Sequence, residues 1–181
     1  MKILICGDSF AADWTVKHSG RGWPNMLAEL YEVTNLAQAG CSEYKILKQL
    51  ESVDLTVYDK IIVWHTSPYR IYVEQHPVHH NDPLHKDCDL IYNDIKSKVS
   101  DALQPIVEYF EKYFSTDYAN FVHGLLVKHI QEILEPVKDK VIQIPQTVNF
   151  DNLVKPNIGL NHFDQSGNQL VFAEIIKLIH L

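Results

Sequence analysis

Ile3-Leu4-Ile5-Cys6-Gly7-Asp8-Ser9-Phe10 is the stretch on which the reading of this chain turns. Ile3 to Cys6 form a short apolar run of the kind that makes a buried strand. Gly7 breaks the run, and Ser9 falls on the turn that follows. A serine at the tip of the first strand of an α/β sheet presents its hydroxyl on a rigid mount. That is the edge where open α/β sheets place their ligands.

Outward from this stretch, strand and helix patterns alternate, which predicts a parallel sheet with helices on both faces. The first strand spans about 2–6. Trp23, Met26, Leu27, Leu30 and Tyr31 follow a helical period and predict a helix over about 22–31, with Pro24 in its first turn. Val33 to Leu36 reads as the second strand. Ser42 is placed to cap a helix running to about Leu50, and Lys60 to Trp64 reads as the third strand. Residues 68–90 are rich in Pro, His, Asn and Asp and keep no period, which marks an insertion.

Two amphipathic helices follow. One is lined by Val99, Leu103, Ile106, Val107, Phe110 and Phe114, the other by Tyr118, Val122, Leu125, Leu126, Ile130 and Ile133. Pro105 either starts a helix or kinks one that begins near Leu90. Lys140 to Ile144 is the fourth strand. A polar loop then leads to His162, and Ser166 is placed to cap the last helix. The expected architecture is one domain over 1–181: a three-layer α/β/α sandwich with a mostly parallel sheet of four or five strands in flavodoxin-like order.

Bulk properties narrow the function. A chain of 181 residues with 46% hydrophobic and 22% charged residues has the make-up of an ordinary globular domain. A net charge of −7 argues against a nucleic-acid partner and against docking on an anionic membrane. No apolar run approaches the length of a membrane span and no signal-peptide pattern is present, so the expected location is the cytoplasm. Cys6, Cys41 and Cys88 fit no zinc or redox spacing and read as buried thiols.

A serine hydroxyl needs a base to become a nucleophile and N–H donors to hold the oxyanion it creates. His162, in the loop before the last helix, is the candidate base. Gly7-Asp8-Ser9-Phe10 resembles block I of the SGNH/GDSL hydrolase family, whose serine accepts the acyl group. Asn35-Leu36-Ala37-Gln38-Ala39-Gly40 resembles block II, whose glycine lends its N–H to the oxyanion hole. Asn161-His162-Phe163-Asp164-Gln165-Ser166-Gly167-Asn168 resembles the last block, which carries the histidine.

The resemblance implies the SGNH hydrolase fold and catalysis by Ser9 and His162, with no cofactor. It also implies an oxyanion hole of Ser9 and Gly40, and a small ester or acylated glycan as substrate. Two positions depart from the family. Its Gly-x-Asn-Asp stretch is Trp64-His65-Thr66-Ser67 here, so Thr66 takes the place of the oxyanion asparagine with only a hydroxyl to offer. The aspartate three residues before the histidine is Gly159. Asp164, Asp151, Asp13 or a main-chain carbonyl would then orient the imidazole, or the site works as a Ser–His dyad.

Tyr69 and Arg70 follow the third strand and, with Asp8 and His65, are the candidate substrate contacts. Arg70 is suited to hold a carboxylate, phosphate or sugar acid, or to pair with Asp8 or Asp13. His76, His79, His80 and His85, with Asp87, Cys88 and Asp89, carry metal-ligand chemistry without a standard spacing. They read as a polar insertion over the mouth of the site, with no metal assigned. A non-catalytic binding domain and a metal-dependent hydrolase are the rival readings.

Overall fold

The computed structural model describes residues 1–92, 95, 101–145 and 162–181. Four strands, β1 (Lys2–Gly7), β2 (Glu32–Asn35), β3 (Lys60–Trp64) and β4 (Val141–Ile144), form one sheet in the order β2-β1-β3-β4. Every pairing is parallel, with Ile5 opposite Asn35 on one side and Ile62 on the other. This is the doubly wound order foreseen from the sequence. The crossovers leave β1 in opposite directions, so the switch point lies between β1 and β3. Ser9 follows the first of these strands and Thr66 the second.

Alternation along the strands divides the core. Ile3 and Ile5 of β1, with Ile62 and Trp64 of β3, pack against α1 (Trp23–Ala28) and α5 (Gln165–Ile179). Leu4, Cys6, Ile61 and Val63 face the other way and pack against α2 (Glu43–Glu51) and α4 (Thr116–Leu134). Those two clusters make the three layers. A shorter helix, α3 (Gln104–Lys112), precedes α4, and Pro105 sits in its first turn, so the proline starts a helix.

Several sequence expectations are corrected. The first helix ends at Ala28, and Leu30 beyond it is exposed. The last helix is capped by Asp164, whose Oδ1 accepts the Gly167 N–H at 2.7 Å and the Ser166 hydroxyl at 2.8 Å. A carboxylate serves better than a hydroxyl at a helix N-terminus because it also meets the positive end of the dipole. Ser42 does hold the N-cap position of α2, but its side chain makes no capping bond. Val99, expected on a helix, lies outside the described residues.

The insertion is pinned to the domain at its ends. Ile71 and Leu90 pair as an antiparallel bridge through hydrogen bonds of 2.8 and 3.0 Å. The buried Asp89 carboxylate accepts the Ser42 and Val73 N–H groups at 2.6 and 2.9 Å and pairs with Lys45 at 2.8 Å. No helix among the described residues is long and apolar enough to cross a membrane. Cys6, Cys41 and Cys88 are buried and form no disulfide.

Candidate active site

The turn that carries Ser9 is closed by its neighbour. Asp8 is buried; its carbonyl accepts the N–H groups of Ala11 and Ala12 at 3.0 Å, and its Oδ1 accepts that of Phe10 at 3.0 Å. Gly7 is required one residue earlier by close packing. A Cβ there would lie 2.8 Å from Cβ of Trp64 on the paired strand. The Trp14 indole donates to the Ser9 carbonyl at 2.9 Å and fixes the far side of the turn.

His162 arrives from the other end of the chain. Its Nε2 lies 2.7 Å from Ser9 Oγ, a distance spanning 153 residues of sequence. Its backbone has φ +62°, a left-handed conformation that costs a side-chain-bearing residue about 1 kcal/mol. The ring is held by Phe10 at 4.6 Å between centroids and by Trp14, edge-on, at 5.4 Å. Ser9 is 4% exposed and His162 is half-buried, so the hydroxyl sits beneath an aromatic rim.

Of the candidates for orienting the imidazole, Asp13 caps a short 3-10 helix at Trp14–Val16 and also accepts from Asn25, while Asp164 caps α5. Neither is bonded to His162. Asp151 and Gly159 lie outside the described residues.

Gly40 has φ +75°, and a Cβ there would lie 2.8 Å from that of Cys88, so only glycine fits. Its carbonyl accepts from Asp89 N–H at 2.9 Å and from Arg70 Nη1 at 3.1 Å. Its own N–H has no acceptor among the described residues. Ala39 packs with Ala12 and Trp14, which sets this loop beside the Ser9 turn.

Thr66 has a different task from the one its position suggests. Its hydroxyl donates to Asp8 Oδ2 at 2.7 Å and accepts from Arg70 Nε at 3.3 Å, so its single proton is committed to Asp8. Asp8 itself is a turn-former sealed from substrate. Burial raises its pKa, partly offset by the nearby Arg70 charge. His65 is likewise internal: Nδ1 donates to Glu43 Oε1 at 2.6 Å, and Nε2 contacts Gln143 at 3.1 Å. Tyr69 is exposed, with its ring 6.5 Å from that of Phe114.

A second polar centre, Glu43 with His65 and His123, escaped the sequence reading. Glu43 is buried; Oε2 accepts the Thr66 N–H at 3.1 Å and lies 3.2 Å from His123 Nε2, which also donates to the Thr66 carbonyl at 2.9 Å. Burial alone would raise the Glu43 pKa, but the bonds from His123 and His65, the His65 charge and the Thr66 amide outweigh it and hold it at about 2. Burial pulls His65 down, yet its bond to Glu43 and the carboxylate's charge leave it raised. The only sequence signals were a glutamate in the first turn of α2 and a histidine on the otherwise amphipathic α4.

The histidine-rich insertion converges in part. Ligand atoms of His76, His79 and Cys88 lie within 4.8 Å of one another, while His80 is exposed. His76 Nδ1 accepts the N–H groups of Val78 and His79 at 3.2 and 3.1 Å. A neutral His76 therefore keeps its proton on Nε2, which leaves a poor metal ligand. His85 packs on Trp14, across the same indole that holds His162.

No protein-family model matches this chain, and neither does any curated protein.

Proposed function

We propose that this protein is a serine hydrolase, a divergent relative of the SGNH/GDSL family, that cleaves a small ester or O-acyl group. The observation that carries the reading is the 2.7 Å contact between Ser9 Oγ and His162 Nε2 at the switch point of the sheet. Ser9 Oγ attacks the acyl carbon as His162 Nε2 takes its proton. The resulting oxyanion is held by the main-chain N–H groups of Gly40 and Ser9. The intermediate collapses, the leaving alcohol takes the proton from His162, and an acyl-serine remains. Water, deprotonated by His162, then attacks the acyl-serine; the C–Oγ bond breaks, His162 returns the proton to Ser9 Oγ, and the carboxylic acid leaves.

Asp13 and Asp164 are committed to caps and do not orient the imidazole. The buried Ser9 favours small acyl groups. Treatment with a small fluorophosphonate followed by peptide mass spectrometry tests the reading. Ser9 should be labelled in the native protein, not in Ser9→Ala, and at least about a hundredfold more slowly in His162→Asn. Asparagine tolerates the left-handed backbone at position 162, so that variant should keep its melting temperature. Absence of labelling together with absence of aryl-ester turnover would instead favour a non-catalytic binding domain.

A further inference from the structure

A cavity of about 260 Å³ opens on the α2/α4 side of the sheet, and its lining includes neither Ser9 nor His162. Its floor is the start of α2, with Ser42, Glu43 and Tyr44, together with Arg70 and His123. Its walls carry Tyr72, Tyr109, Phe114 and Tyr118, and four of the chain's exposed aromatics, Tyr44 among them, ring its mouth. So much exposed aromatic surface around one concavity marks a binding site.

The floor selects the charge of the occupant. Arg70 is half-buried and spends Nε on Thr66 Oγ1 and Nη1 on the Gly40 carbonyl, yet no carboxylate lies within 4.0 Å of it among the described residues. The α2 N-terminus enters the floor too, with its Ser42 N–H already given to the buried Asp89 carboxylate at 2.6 Å and the Asp89 charge met by Lys45. The Ser42 hydroxyl beside it is buried, with no hydrogen-bond partner. A half-buried guanidinium that no carboxylate touches, opening on an aromatic cavity, is suited to an anion. Glu43 does not spoil it, because its carboxylate already accepts from the His65 ring and the Thr66 N–H and lies 3.2 Å from His123 Nε2.

We infer that this cavity binds a small organic carboxylate with a flat aromatic body, its carboxylate on Arg70 and its ring among the tyrosines. Size agrees: a cavity of about 150 Å³ holds a benzene ring, so this one takes two fused rings. The cavity is lined by neither Ser9 nor His162, although Arg70 also holds the Gly40 carbonyl.

Titration of the purified protein with 2-naphthoate, followed by calorimetry, tests the inference. Saturable one-to-one binding is expected. The neutral isostere 2-naphthamide, and 2-naphthoate on Arg70→Gln, should each bind at least about tenfold more weakly. Val122→Trp, which fills the wall, should abolish binding and leave fluorophosphonate labelling of Ser9 unchanged. The inference is overturned if the amide binds as well as the acid, if Arg70→Gln binds normally, or if no binding is seen at about 1 mM ligand. Because Ser9 labelling is read separately, failure here leaves the hydrolase reading standing, and the reverse holds.

Discussion

Replacing Glu43 with glutamine should cost this protein much of its stability at neutral pH and little in acid. The carboxylate is buried and meets His65, His123 and the Thr66 amide. Its pKa falls from the usual 4.5 to about 2 on folding, which corresponds to about 3 kcal/mol at pH 7. The direction follows from linkage. Because the folded pKa is the lower one, the unfolded chain binds the extra proton. The stabilisation is therefore complete above about pH 5 and lost as the pH falls toward 2. A glutamine at 43 turns its amide N–H₂ toward one of these donors and leaves a buried mismatch, so the loss at pH 7 should reach about 3 kcal/mol or more. Urea unfolding of both proteins at pH 7, 5 and 3 measures it. The gap should be at least as wide at pH 5 as at pH 7 and narrow by pH 3. A gap under about 1 kcal/mol at pH 7, or one that stays constant down to pH 3, would refute the account of this centre.

Other substitutions probe the remaining supports. Asp164→Ala removes the cap of α5 and should cost about 1 kcal/mol in thermal unfolding, whereas Ser166→Ala should cost a few tenths; equal effects would reassign the cap. Gly40→Ala forces a methyl against Cys88 at a left-handed position, and should lower stability by about 1–3 kcal/mol and slow Ser9 labelling; a variant with native melting and labelling would contradict the tight Gly40 turn. Asp89→Asn weakens the anchor shared by Ser42, Val73 and Lys45, and limited proteolysis should then cut within 68–90 faster than in the native protein, with an unchanged cutting rate counting against the anchor.

Strand order and helix placement were legible because burial imposes a period on sequence: Ile3 to Cys6 and Ile61 to Trp64 are apolar throughout, as strands covered on both faces must be. The meeting of Ser9 with His162 was also foreseeable, since Ser9 follows β1 and His162 lies in the loop before the last helix, among the loops a doubly wound sheet gathers. Side-chain commitments were not. Nothing local reveals that Thr66 spends its proton on Asp8, 58 residues away, or that Asp164 outcompetes Ser166 for the same helix end. Glu43 and His123 stayed hidden for a related reason. Each occupies an ordinary helical position, and only tertiary packing makes them face one carboxylate-binding niche.

The hydroxyl of Thr66 joins two regions that are otherwise separate. It gives its proton to Asp8, which shapes the Ser9 turn, and receives one from Arg70, which floors the aromatic cavity. An anion drawing on the guanidinium therefore pulls on a relay that ends beside Ser9, and energetic coupling of this kind is reciprocal. Occupancy of the cavity should then change the rate of Ser9 labelling in the native protein but not in Thr66→Val. The residue two places beyond β3 would thus act as a communication joint.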